Sequence, residues 1–355
     1  MCVQPLGSTV PVVEIALCPG LVLIAPRVAI VTTLRDAGGT LDSFVAYHLH
    51  HGFAHLFLFF DDPSDPGLER FAAHPLVTVI PHDGELRRRW AGLPEYTAGS
   101  EFMDREVMAR QVLNAALAIG LARQKQFDWL LHIDADELFF APRQSVAEHF
   151  IQIDALAADT IRYQNFECVP EKDDIADAFR EVSLFKIPME LETGSVSGEC
   201  HIMLGNTPQI PAKRFHFYRN GKSAMRLSAP DLRPSGVHKF VNPNGETRAV
   251  RARGAFILHY ACSGFEVFWQ KYVTLGRFAD QWLSSYDIRS AIGPLHLDAR
   301  DIVAAGDREA GRVFYRERIA IEDIERVRQL ILCGILTRIP EPGELLERIA
   351  LSLTI

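Results

Sequence analysis

The sequence has no CxxC pair, no glycine-rich phosphate loop, no long basic stripe and no uninterrupted apolar run of spanning length, and each absence removes a class of function. Six cysteines, Cys2, Cys18, Cys168, Cys200, Cys262 and Cys333, are scattered through 355 residues. That spacing argues against a zinc ribbon or a disulfide scaffold and makes buried reduced thiols the default. Neither GxxxxGK[ST] nor GxGxxG follows a strand, which counts against a Walker ATPase and a dinucleotide dehydrogenase. Gly38 and Gly39 read as turn punctuation. The net charge is −8 and the pI near 5.9. With that balance, Arg87, Arg88 and Arg89 read as a solvated face or a phosphate neighbour rather than part of a nucleic-acid surface. Val10 to Ile24 is apolar but broken by Pro11, Glu14, Pro19 and Gly20, with no basic segment before it. It therefore reads as an extra strand or irregular cap on the core, not a signal peptide or spanning helix, and a cytoplasmic location is expected.

What is present is an ordinary globular composition, 48% hydrophobic and 23% charged, in a chain long enough for a large core. From Arg27 onward the periodicity alternates. Val28 to Thr33 reads as a strand, Leu41 to His51 as a helix, His55 to Phe60 as a strand and Leu76 to Pro81 as a short strand. Met103 to Gln124 reads as a long amphipathic helix and Trp129 to Ile133 as a further strand. Alternation of this kind predicts an α/β fold with a mostly parallel central sheet flanked by helices. Residues 27–285 form the expected main domain, after an N-terminal segment 1–26 and before a helical C-terminal extension 286–355. Leu184 to Phe215 reads as irregular, and Gly264 to Ser284 and Ile321 to Leu336 as helices.

The most informative stretch is WLLHIDADELFF, Trp129 to Phe140. An apolar strand ends in Asp134, Asp136 and Glu137, a costly place to gather like charge unless a cation compensates it. Oxygen ligands of this hardness suit Mg²⁺ or Mn²⁺. Aspartates two apart on an extended segment point the same way and could address one metal–diphosphate unit. Ligands of parallel sheets sit beyond the carboxyl ends of the strands. Thr33 to Asp36, Asp61 with Asp62, and Asp134 to Glu137 are all expected there, with the first two segments offering groups to a base or ribose.

The run TTLRDAGGTLDSFVAYHLHHGFAHLFLFFDDPSD resembles the opening of glycosyltransferase family 92 and related family 2-like enzymes. Tyr47 and His48 match their Tyr-His pair, Gly52 their glycine, and Asp61 and Asp62 their acidic turn; Leu34, Arg35 and Asp36 stand where those enzymes have Lys-Asn-Glu. Gln111 and Asn114, GKSAMR (Gly221 to Arg226), VHKF (Val237 to Phe240) and LHYACSGFEVFWQK (Leu258 to Lys271) extend the resemblance over Val28 to Phe278.

The resemblance implies an A-type nucleotide-diphospho-sugar transferase fold and a metal-dependent, inverting transfer of a hexose. The donor would be a UDP-sugar and the acceptor a glycan or other hydroxyl compound. It implies Asp134, Asp136 and His259 as metal ligands for Mn²⁺ or Mg²⁺. Thr33, Arg35, Asp36, Asp61, Asp62, Gln111, Asp134, Lys222 and His238 are the expected nucleotide-sugar contacts. Lys222 and Arg226 could neutralise the diphosphate or belong to a solvated hairpin, and Lys271 lies on a helix whose default is the surface. A carboxylate within hydrogen-bond reach of the acceptor would deprotonate it. The segment Thr160 to Asp174 is expected to border the acceptor and offers Glu167 first and Asp173 second. Two other readings stay open, a catalytically silent nucleotide- or sugar-binding protein on the same fold and a Mg²⁺-dependent phosphotransferase. An aspartyl phosphatase, however, would want its Asp-x-Asp after the first strand and followed by Thr.

Overall fold

A computed structural model describes residues 25–35, 38–188, 220–282, 286–287 and 295–352. Asp36, the apolar segment Val10 to Ile24 and most of the stretch expected to be irregular lie outside the described residues. The chain runs β1 (Val28–Leu34), α1 (Thr40–His50), β2 (His55–Phe60), α2 (Gly67–Phe71), β3 (Val77–Pro81), α3 (Gly84–Ala91), α4 (Tyr96–Gly99), α5 (Val107–Gln124), β4 (Trp129–His132) and β5 (Glu137–Phe140). Then follow α6 (Val146–Ala155), β6 (Thr160–Tyr163), β7 (Asn165–Cys168), α7 (Ala178–Glu181), β8 (Leu184–Lys186), β9 (Lys222–Arg226), β10 (Arg233–Pro234), β11 (Phe240–Val241), β12 (Ala249–Arg251) and β13 (Phe256–His259). The remainder is α8 (Phe265–Leu275), β14 (Gln281–Trp282), β15 (Tyr286–Asp287), α9 (Leu295–Ala304), α10 (Arg308–Arg318), α11 (Ile324–Leu332), β16 (Leu336–Arg338) and α12 (Glu341–Ser352).

The main sheet has seven strands in the order β12-β6-β9-β4-β1-β2-β3. All run the same way except β9, which lies antiparallel between β4 and β6. Strand alternation splits the core cleanly. Val28 and Ile30 of β1, Leu56, Leu58 and Phe60 of β2, and Trp129 and Leu131 of β4 bury against one face with Leu41, Phe44, Val45 and Tyr47 of α1. Their neighbours Ala29, Val31, Phe57, Phe59 and Leu130 bury against the other face with Leu113, Leu117 and Ala118 of α5. This is why these strands are continuous apolar runs: a parallel sheet covered on both sides has no solvated face. The fold is the expected α/β sheet flanked by helices.

A second sheet, β16-β8-β7-β13-β5, continues from the first through the turn joining β4 to β5. Ile339 and, in α12, Leu346 join the same core as α1 and β1, while α9 and α10 pack with α8 in a cluster of their own. Three local expectations change. The helix expected from Met103 starts at Val107, because Glu106 is extended and the Met103 carbonyl accepts from Arg110 Nη1 at 2.7 Å. The helix expected to reach Ser284 stops at Leu275, where Gly276 turns the chain at φ +63°. Lys222 to Arg226, weighed as a solvated hairpin, is instead a strand in the middle of the main sheet.

Candidate active site at the switch point of the sheet

From β1 the chain builds outward through β2 and β3, then crosses to the other side of β1 to lay down β4. The carboxyl ends of β1 and β4 therefore flank a topological switch point, the place where open α/β sheets hold ligands. The N-terminal half of α5 ties three strand ends together there. Arg110 grips Asp61, just past β2, through Nε at 2.5 Å and Nη2 at 2.7 Å. Gln111 Nε2 donates to Asp134 Oδ1, past β4, at 2.7 Å. Asn114 Nδ2 donates to Thr33 Oγ1 of β1 at 2.9 Å and accepts from Trp90 Nε1 at 3.1 Å. Sequence reasoning passed over Arg110. Its signal was available, since it is the single charge between Val107 and Ala122, and a lone cation on a buried helix face wants a partner.

Asp134 and Asp136 do not lie on an extended segment. They sit in a tight turn, with Glu137 N–H donating to the Asp134 carbonyl at 3.1 Å and Asp134 N–H to Glu137 Oε2 at 2.8 Å. The two aspartates therefore diverge. Asp134 Oδ2 meets Lys222 Nζ at 2.5 Å, and Lys222 stands 3.4 Å from Glu137 Oε2 with only 1% of its side chain exposed. Asp136 Oδ2 meets Lys271 Nζ at 3.3 Å, and its Oδ1 lies 3.6 Å from His259 Nε2. Each aspartate faces its own lysine. The compensating charge that the acidic triplet requires is thus supplied in part by the chain itself.

Burial opposes charge on Asp134, but Lys222 outweighs it and holds the carboxyl well below its usual range. Asp136 shifts the same way, burial being overcome by Lys271 and His259. Glu137 goes the other way: burial dominates over Lys222 and pushes it up to about 8. For His259, burial works against protonation, yet Glu167 and Asp136 lift its pKa from 6.5 to about 9.

A histidine with a raised folded pKa contributes stability that is complete below pH 6.5 and lost as pH rises through about 9. A carboxyl raised from 4.5 to about 8 also loses its contribution as pH rises over that range. Stability should therefore fall between pH 6.5 and 9, by on the order of 3 kcal/mol from His259. Urea midpoints across that range check this, and a slope unchanged in His259→Gln would contradict it.

The other expected contacts fall in several places. Arg35 is half exposed, 3.9 Å from Asp61. Asp61 is 4% exposed at its side chain, held by Arg110 and 3.7 Å from His82 Nδ1. Asp62 faces solvent more and accepts from Ser64 N–H at 2.8 Å and Ser64 Oγ at 2.7 Å. His238 lies beside Lys222, with Nδ1 at 2.9 Å from the Gly221 carbonyl. Glu167 is buried, with His259 Nδ1 at 2.9 and 3.0 Å from its two oxygens and a bond from the Asn165 amide. Asp173 is held by Arg312 at 3.2 Å and Arg316 at 2.8 Å, pinning its loop to α10. Neither carboxylate expected to be the base is presented to the crevice alone.

Among the described residues no three His, Cys, Asp or Glu side chains are arranged to enclose a metal. Asp136 Oδ1 and His259 Nε2, 3.6 Å apart, are the carboxylate oxygen and imidazole nitrogen that would be offered to one hard cation. Mg²⁺-type ions are commonly held by one or two protein ligands, with substrate phosphates and water completing the shell. Asp134, set against Lys222, stands outside that pair.

No family model matches the chain. Two curated proteins of Arabidopsis thaliana described as glycosyltransferase-like do match: one is 28% identical over 92% of this chain and 73% of its own length. The other is 27% identical over 92% of this chain and 64% of its own. This chain is similar to glycosyltransferase-like proteins. Matched solved structures include S. aureus TarS, 9% identical over 86% of this chain and 48% of that one, with TM-score 0.28. They also include glucosyl-3-phosphoglycerate synthase of Mycobacterium tuberculosis with Mn²⁺, UDP and phosphoglyceric acid, 12% identical over 66% and 70%, with TM-score 0.28. No helix among the described residues is long and apolar enough to cross a membrane.

Proposed function

We propose that the chain is a glycosyltransferase that moves a hexose from a nucleotide-diphospho-sugar, in our reading a UDP-sugar, to a hydroxyl of a glycan or similar acceptor, with inversion and with a divalent cation. The observation that carries this is the acidic turn Asp134–Glu137 at the switch point of the sheet, balanced by Lys222, Lys271 and His259. The similarity to glycosyltransferase-like proteins over nine-tenths of the chain supports it.

In this reading Asp136 and His259 would hold Mn²⁺ or Mg²⁺, which when bound would supply Lewis-acid stabilisation of the departing diphosphate. Lys271, a quarter exposed, adds a second positive charge on the same side. Asp134 anchors the turn through Lys222 and Gln111, setting where Asp136 points. Asp62, Arg35 and the Thr33 hydroxyl border the nucleoside, and His238 borders the sugar.

A thermal-shift screen of nucleotide-sugars with and without Mn²⁺ tests the proposal. A donor present at 100 times its Kd should add about 2.7 kcal/mol of stability, and more with Mn²⁺ than without. If no nucleoside-diphospho-sugar shifts the transition, the proposal is wrong. A ligand that binds but is neither transferred nor hydrolysed would point to a silent binding protein on this scaffold.

A further inference from the structure

The second sheet carries a row of buried ionisable side chains of which the proposed transfer uses only His259. Register pairs Lys186 of β8 with Glu167 of β7, Glu167 with His259 of β13, and His259 with Glu137 of β5. Residues opposed in register project from the same face of a sheet. The four therefore form one line across four strands, basic and acidic groups alternating from Lys186 to Glu137, and none is more than 8% exposed. Buried charge of this density persists only if each member is paired and hydrogen-bonded.

Within the row, Glu167 is fixed from both sides. His259 Nδ1 lies 2.9 and 3.0 Å from its oxygens, and the Asn165 amide donates to Oε1. Asn165 is itself held, its Oδ1 accepting from Gly221 N–H at 3.0 Å. That contact needs glycine at 221, because φ is +58° and a Cβ there would fall 1.9 Å from the Tyr163 carbonyl oxygen. The next residue is Lys222, so the same backbone path sets both Glu167 and the lysine beneath Asp134.

We propose that Glu167 is a positioning residue that acts through His259: it holds Nδ1 and so turns Nε2 toward a divalent cation shared with Asp136. The arrangement is the carboxylate–histidine–metal relay, in which the carboxylate fixes ring orientation and tautomer. It replaces the expectation that Glu167 removes the acceptor's proton, a task for a group in reach of the acceptor rather than one whose oxygens are both turned to an imidazole.

The inference rests on the metal reading above, and calorimetric Mn²⁺ titration in the presence of UDP separates the two. Glu167→Gln should weaken Mn²⁺ by about 10- to 100-fold and His259→Ala by at least as much. In the His259→Ala background, adding Glu167→Gln should change affinity by less than about threefold, since a residue that acts only through the ring has nothing left to orient. Equal Mn²⁺ affinity in Glu167→Gln and wild type overturns the inference and leaves the metal reading standing. The same loss from Glu167→Gln with and without His259 also overturns it, because that is what a general scaffold residue would give. A wild type that binds no Mn²⁺ with UDP present overturns both. If Glu167→Gln does not fold, Asn165→Ala loosens the same carboxylate from its far side and should weaken Mn²⁺ severalfold; unchanged affinity there counts against the relay.

Discussion

Asp136→Asn is expected to lower sugar transfer by roughly 10³-fold or more, because Lewis-acid stabilisation of a leaving group is worth several kcal/mol and each 1.36 kcal/mol is tenfold in rate. Stability should move by less than about 1 kcal/mol. The side chain is about a third exposed, and its partners Lys271 at 3.3 Å and His259 at 3.6 Å are long contacts. Its backbone carbonyl, which accepts from Tyr260 N–H at 2.8 Å, is untouched. The substitution is isosteric, so geometry at the turn should hold. Initial rates of UDP release with Mn²⁺, read beside urea midpoints, decide the matter. Wild-type rates in the variant would remove Asp136 from the metal site. A large loss of stability would mean instead that the charge belongs to the framework.

The parts of the fold legible in the sequence are those whose signal is local. His55–Phe60 is an unbroken apolar run because both faces of β2 are covered, and its limits match the expectation to the residue. The helix Thr40–His50 shows its buried residues at helical spacing. The acidic triplet was visible for the same reason, as charge following a run that could only be interior. Pairings across the chain left no local trace. Lys222 lies 88 residues from Asp134, and Glu167 92 residues from His259. A lysine opening a five-residue segment reads equally as a surface hairpin or as a buried counter-charge until its neighbours are known. The assumption that Asp134 and Asp136 share a direction failed for a related reason. Period-two reasoning holds only within a strand, and β4 ends at His132, before either aspartate. Sequence could say that charge collects at this strand end; it could not say that each aspartate there already has its own ammonium.

Those ammonium groups carry the last expectation. Lys222→Met should destabilise the protein by on the order of 2 kcal/mol at neutral pH, less than the ~3 to 5 kcal/mol for a fully buried charge left without its partner, because Asp134 keeps 27% of its side chain exposed. The ammonium is 1% exposed, 2.5 Å from Asp134 and 3.4 Å from Glu137, and methionine is close in shape, so lost packing contributes little. The pH dependence separates charge from packing. With Lys222 gone, burial should push Asp134 up instead of being overruled. A carboxyl raised in the folded state stabilises below its ordinary pKa and loses that contribution as pH rises. The defect should therefore be smaller at pH 5 than at pH 8, and Asp134→Asn added to Lys222→Met should recover part of it. Urea denaturation of the two variants at both pH values is the measurement. A loss under about 1 kcal/mol, flat with pH, would show that the ammonium does no more than offset its own desolvation, and that the turn bearing Asp136 is held by Gln111 and backbone contacts alone.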